Sequence, residues 1–92
     1  MQEKNLISSR KIGDFTVDYY ITFDKNTVDE PGPAYGISIE KHEGPEKESF
    51  DALGCFMEYS PAYALIEKLS RYGVTPVCAE ETIEVILEDF SR

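Results

Sequence analysis

The chain has 92 residues, 41% of them hydrophobic, and a formal net charge of −9 at pH 7. This length predicts a single domain, residues 1–92, with one modest core. The acidic balance argues against nucleic acid and anionic membrane surfaces as partners, because both attract basic side chains. No apolar run reaches the ~20 residues that span a bilayer, and the stretch "MQEKNLISSRKIGDF" lacks the apolar region of a secretory signal, so we expect a cytoplasmic protein.

The first predicted element is a β-hairpin whose two-residue loop, Gly13-Asp14, is typical of a type II′ turn. The alternation that follows predicts a second strand with one apolar face: Phe15, Val17, Tyr19, Ile21 and Phe23. An uninterrupted register would pair Ile12 with Phe15, Arg10 with Val17, Ser8 with Tyr19, and Leu6 with Ile21. The basic and polar content of the first strand is typical of a sheet edge.

The segment Asp24–Ala34 is predicted to be a loop, because Asn, Asp, Gly and two prolines cluster there. A third strand follows, with Tyr35, Ile37 and Ile39 alternating against polar residues. The stretch "EGPE" predicts another turn, and a fourth strand is expected in the segment that begins at Lys47. The strands therefore lie within residues 4–53.

Two helices complete the chain. The first is predicted at about residues 61–72, with Ser60 as the N-cap, Pro61 as the first helical residue and Gly73 as the left-handed residue after it. The second is predicted at about residues 79–90, with Cys78 as a weak cap. Strands followed by helices indicate an α+β fold, in which a three- to four-stranded antiparallel sheet is covered on one face by two C-terminal helices.

The stretch "RYGVTPVCAEETIEVILEDF", together with "YGISIEK" before it, resembles a family of small acidic bacterial proteins of unknown function. Its members share an N-terminal β region, a helix, a "GVTP" link and an acidic terminal helix. The resemblance implies a bacterial cytoplasmic protein. The family has no assigned activity, so the resemblance assigns no catalytic or binding residue.

The single histidine, His42, lies in "KHEGPEKE" among three glutamates, Glu43, Glu46 and Glu48. Zinc sites that include carboxylates usually have at least two histidines, and the Gly-Pro pair is typical of a turn. We therefore expect a charged hairpin tip, and no metal or cofactor. Phosphate-binding glycine loops and the GxSxG, HExxH and CxxC motifs are absent from the sequence.

Cys78 precedes the second helix, and a helix N-terminus lowers the pKa of a thiol. One hypothesis is therefore a thiol- or metal-dependent small enzyme or sensor centred on Cys78, with Cys55 and His42 as helpers. The apolar run around Cys55 favours a core cysteine instead, and a helix-start residue that substitutes poorly for serine is the plainer interpretation of Cys78.

The preferred hypothesis is a non-catalytic interaction or regulatory module that binds a protein partner or forms a homodimer. Glu80, Glu84 and Glu88 recur at helical spacing in a helix without basic residues, as in an acidic docking stripe. A solvated outer helix face is the plainer interpretation of the same pattern. Tyr20 faces away from the predicted core, on an open sheet face where an aromatic ring can anchor a partner.

Overall fold

The structure is a computed structural model that describes residues 2–24 and 34–90, without the side chains of residues 2, 53–55 and 87–90. The interior of the predicted Asp24–Ala34 loop lies outside the described residues. The strands are β1 (Gln2–Ile12), β2 (Phe15–Asp24), β3 (Tyr35–Glu43) and β4 (Glu46–Phe56), and the helices are α1 (Tyr59–Arg71) and α2 (Pro76–Phe90).

The four strands form one antiparallel sheet in the order β1-β2-β3-β4. Two-residue turns join β1 to β2 and β3 to β4. Gly13 has a φ of 59° and Gly44 a φ of 56°, while Asp14 does not have a positive φ. A positive φ at the first loop position alone fits a type II′ turn. Both predicted turns are confirmed.

The register of the first hairpin follows the prediction from Ile12–Phe15 to Ser8–Tyr19 and then shifts by one residue. The predicted Leu6–Ile21 pair is wrong, because Leu6 pairs with Tyr20. The extra residue, Ile7, packs against the core, whereas Leu6 is 58% exposed on the other face. The bulge therefore lets β1 place an apolar side chain inward that strict alternation would not.

Helix α1 begins at Tyr59, so the predicted N-cap at Ser60 is wrong; the cap position is Glu58, which makes no side-chain capping hydrogen bond. Pro61 lies within the first turn, where a missing N–H removes no helical hydrogen bond. The predicted end is confirmed, since Gly73 has a φ of 64° and donates its N–H to the Ser70 carbonyl. The Val74 N–H bonds to the Leu69 carbonyl, completing a Schellman motif.

Helix α2 begins at Pro76, three residues before the predicted start. Cys78 therefore lies inside the first turn and is not the cap, and its N–H donates to the Thr75 carbonyl at 3.1 Å. A threonine followed by a proline is itself a helix-start signal, because proline is preorganised for the first helical position.

The core lies between the sheet and the two helices, which confirms the α+β fold with one covered sheet face. The buried apolar residues are Val17, Tyr19, Ile21, Ile37 and Ile39 of the sheet and Ala62, Leu65, Ile66, Leu69, Val74, Ala79 and Ile86 of the helical half. Across the described part of the chain, neither helix is long and apolar enough to cross a membrane.

Candidate functional site

The sheet face opposite the helices carries a network of ion pairs centred on Glu40. The Lys47 Nζ lies 2.7 Å from its Oε1, and the Lys4 Nζ lies 3.3 Å from its Oε2. These lysines come from the two outer strands, so the network crosses the whole sheet. The hydrogen bond from Lys47 lowers the pKa of Glu40 against the opposing effect of burial, and Lys4 lowers it further.

Asp18 extends the network on the neighbouring strand. The Ser9 hydroxyl donates a hydrogen bond of 2.6 Å to Asp18, and the His42 Nε2 lies 3.4 Å from the other carboxylate oxygen. The Ser38 hydroxyl donates to Asp51 in the same way. The acidic side chains of this face are thus held by neighbours within the sheet, which gives the face a fixed pattern of charge.

Tyr20 lies on this outer face, as predicted from its position in β2. The Lys4 Nζ lies 5.4 Å from its ring centroid. Burial raises the pKa of the Tyr20 hydroxyl, and the carboxylates of Glu40 and Asp18 raise it further. Leu6 lies directly opposite Tyr20 in the β1–β2 pair, so the two side chains are neighbours and form a small apolar patch among charged groups.

His42 is the last but one residue of β3, next to the Gly44-Pro45 turn, so "KHEGPEKE" is a hairpin tip, as predicted. The space between Lys41, Glu43, Glu46 and Glu48 is about 10 Å³, room for one water. Among the side chains that the structure describes, no group of three or more His, Cys, Asp or Glu residues could hold a metal ion.

Cys78 is an exposed free cysteine in the first turn of α2. His42 lies three residues after the buried Ile39 in β3, so its side chain is on the opposite, outer face of the sheet. Helix α2 packs on the core face. The structure therefore does not bring His42 and Cys78 together. The side chain of Cys55 lies outside the described residues.

The solvent side of α2 combines acids with apolar residues. Glu80 and Glu84 are exposed, as predicted, and the side chain of Glu88 lies outside the described residues. Val77 is 77% exposed and Val85 is 58% exposed. Neither exposed valine was predicted from the sequence as part of a contact surface. Their i, i+8 spacing is the signal that places them on one helix face.

A row of aromatic rings was also missed. It leads from Phe23 through Tyr35 and Tyr59 to Tyr63, with ring centroids 5.0, 5.9 and 6.0 Å apart. Tyr59 is 44% exposed and Tyr63 is 41% exposed. The i, i+4 spacing of these two tyrosines is visible in the sequence, but their contact with the sheet depends on where α1 docks.

Comparison with known proteins adds a family but no activity. A model of DUF6514, a family of unknown function, matches residues 1–89. No curated protein matches the chain, and no solved structure matches it. Because the family model covers nearly the whole chain, this protein belongs to the DUF6514 family.

Proposed function

We propose that this chain is a non-catalytic interaction module of the bacterial cytoplasm that binds a protein with a basic surface through the outer face of α2. The observation that carries the proposal is the exposure of Val77 and Val85 on the same helix as the exposed Glu80 and Glu84. Large apolar side chains surrounded by charge are typical of interaction surfaces.

The distribution of charge supports this choice of surface. Residues 42–92 carry eleven acidic and four basic side chains, against seven and five in residues 1–41. On the sheet face Asp18, Glu40 and Asp51 have cationic or hydroxyl neighbours, whereas α2 has no basic residue in its last turn. The acids of α2 are therefore the better source of attraction for a basic partner.

The outer sheet face around Tyr20 is the second contact surface in this proposal. Its ring is half-buried and lies beside the exposed Leu6, so a partner that covers both would bury apolar area within a charged rim. This arrangement matches the usual anatomy of an interface, an apolar centre with polar surroundings.

The test is a pull-down from native lysate at low and high salt with wild type and two charge-reversal variants. Glu80→Lys/Glu84→Lys changes the helix, and Glu43→Lys/Glu46→Lys makes the same charge change at the exposed hairpin tip. We expect a salt-sensitive partner that the helix variant loses and the hairpin variant keeps. Retention of that partner by the helix variant would remove α2 from the proposal.

A second candidate function, thiol chemistry, is favoured by the exposure of the Cys78 thiol in the first turn of α2. Iodoacetamide should then alkylate Cys78 faster at neutral pH than it alkylates a cysteine in an unstructured peptide. Equal rates would rule out an activated thiolate. Native mass spectrometry of the purified chain tests the metal-dependent version directly.

A further inference from the structure

Strand β4 presents an open edge. It lies at the end of the sheet, and among the described residues its only strand partner is β3. The register with β3 is regular from Glu46 to Ala52 and shifts only beyond that point. An edge of this kind has backbone N–H and C=O groups that can pair with another strand.

The side chains of this regular half carry a self-complementary charge pattern. Lys47, Ser49 and Asp51 share the outer face, since they pair with His42, Glu40 and Ser38 of β3. When two copies of β4 run antiparallel about a two-fold axis at Ser49, each Lys47 comes directly opposite Asp51 of the other copy. Opposite charges in such cross-strand positions attract.

Other registers lack this match. A two-fold axis perpendicular to the sheet keeps the outer faces of both copies on the same side. Opposite residues must then share a face, so the axis lies between the two copies of one residue. Centring on Lys47 would set the two lysines against each other. Centring on Glu48 or Phe50 would pair Ser49 with Lys47 or with Asp51. On the core face, the Ser49 register sets Glu48 opposite Phe50 and Glu46 opposite Ala52, so no like charges meet directly.

We propose that the chain forms a symmetric homodimer in which two β4 strands pair about Ser49 and join the two sheets into one. The pairing uses the edge of β4 and neither Glu80 nor Glu84, so the proposal does not rest on the proposed function, although Val77 at the start of α2 lines the same hollow as Glu48 and Ser49. An isologous contact of this kind closes on itself and gives a dimer, not a filament.

The side chains of Lys47 and Asp51 can each form a further ion pair with a second copy of the chain. The Lys47 side chain is 57% exposed and its Nζ contacts Glu40 at 2.7 Å, which leaves further N–H donors. The Asp51 side chain is 43% exposed and lies 3.8 Å from the Lys4 Nζ. Each group would gain a partner across the interface without losing the contact it has within the chain.

The other edge of the sheet is less suited to pairing. Strand β1 contains the bulge at Ile7 and carries three basic residues, Lys4, Arg10 and Lys11. Bulges and repeated like charges are features that block edge-to-edge pairing. The regular half of β4 has neither a bulge nor a charge pattern of one sign on its outer face.

A cysteine at the symmetry centre tests the register. Ser49→Cys in a Cys55→Ala/Cys78→Ser background would place two thiols opposite each other, and mild oxidation should give a covalent dimer. Ser9→Cys in the same background is the matched control, an exposed serine on the outer face of the other edge strand. Cross-linking no faster at Ser49 than at Ser9 would overturn the proposal.

Charge exchange gives a second test, read by analytical ultracentrifugation. Asp51→Lys sets lysines opposite each other and should weaken dimerisation about tenfold, and Lys47→Asp/Asp51→Lys should restore much of the loss. Glu80→Lys/Glu84→Lys should dimerise like wild type, which separates this surface from the α2 face. A monomeric wild type, or dimerisation insensitive to Asp51→Lys, would overturn the proposal.

Discussion

The Tyr19 hydroxyl donates a hydrogen bond of 2.9 Å to the main-chain carbonyl of Val74, 55 residues further along the chain. Tyr19 is fully buried in the centre of β2, and Val74 follows the left-handed Gly73 at the end of α1. The bond therefore ties the link between the two helices to the middle of the sheet, at a carbonyl with little access to water.

We expect Tyr19→Phe to lower the free energy of unfolding by about 1–3 kcal/mol, because it leaves the buried Val74 carbonyl without its hydrogen bond. Urea unfolding measures the loss. Tyr72→Phe is the matched control, since Tyr72 is 66% exposed, and it should change stability by less than about 0.5 kcal/mol. Equal effects of the two substitutions would contradict the importance of the Tyr19–Val74 bond.

A guanidinium from β1 binds the end of α1. The Arg10 Nη1 donates to the carbonyls of Ser70 and Arg71, each at 2.7 Å. A cation at this end also interacts favourably with the helix dipole. Arg10→Gln should therefore cost about 1 kcal/mol of stability and speed hydrogen exchange at the Gly73 amide.

Lys11→Gln makes the same charge change at the next, exposed residue of β1 and is the control for Arg10→Gln. It should leave exchange at the Gly73 amide close to that of wild type. If both variants accelerated exchange equally, the effect would come from net charge and not from the contacts of Arg10.

The backbone conformation of Gly73 predicts which substitutions at this position lower stability most. Its φ of 64° is unfavourable for residues with a Cβ, and an added Cβ would lie 3.2 Å from the Ile12 Cδ1. Gly73→Ala should lower stability by about 1–2 kcal/mol. Gly73→Asn should lower it less, because asparagine tolerates left-handed backbone better. Thermal unfolding of the pair measures the difference, and equal losses would assign the cost to Ile12 alone.

The lowered pKa of Glu40 predicts that the stability of the fold decreases at acidic pH. Its pKa in the folded chain lies below the usual value of 4.5, chiefly through the hydrogen bond from Lys47. The unfolded chain therefore takes up the proton first as the pH falls. This stabilisation is complete above pH 4.5 and is lost as the pH decreases through the folded pKa.

The variant that tests this is Glu40→Gln, followed by urea unfolding between neutral pH and the acid range. Its stability should decline less steeply below pH 4.5 than that of wild type. Glu84→Gln, at an exposed position of α2, is the comparison and should keep the wild-type decline. An unchanged slope in Glu40→Gln would show that the Glu40 network contributes nothing to acid stability.

Most of the fold could be predicted from local patterns, because alternation, turn glycines and helical spacing each act over a few residues. The Leu6–Ile21 pair could not, since the bulge at Ile7 satisfies the core and not the local alternation. The polar side of β1 was interpreted as edge protection. In the structure Arg10 and Ser8 bind the end of α1, a role that only tertiary contact reveals.

The candidate surfaces were predictable in part for the same reason. Alternation placed Tyr20 on the outer face, and helical spacing placed Glu80 and Glu84 on one side of α2. The ion pairs around Glu40 join three strands, and the charge match of Lys47 and Asp51 needs the position of β4 at the edge. Both depend on how the two hairpins pair with each other, which no local pattern of this sequence specifies.

The sheet order repeats the order of the strands in the chain, and this has a consequence for folding kinetics. Each strand pairs with a sequence neighbour, so the sheet can assemble by successive local steps with small loop-closure costs. The Ser70–Ser8 hydrogen bond spans 62 residues and can form only when α1 docks. Helix docking is therefore the step that forms contacts of the greatest sequence separation in this fold, after the local pairings of the sheet.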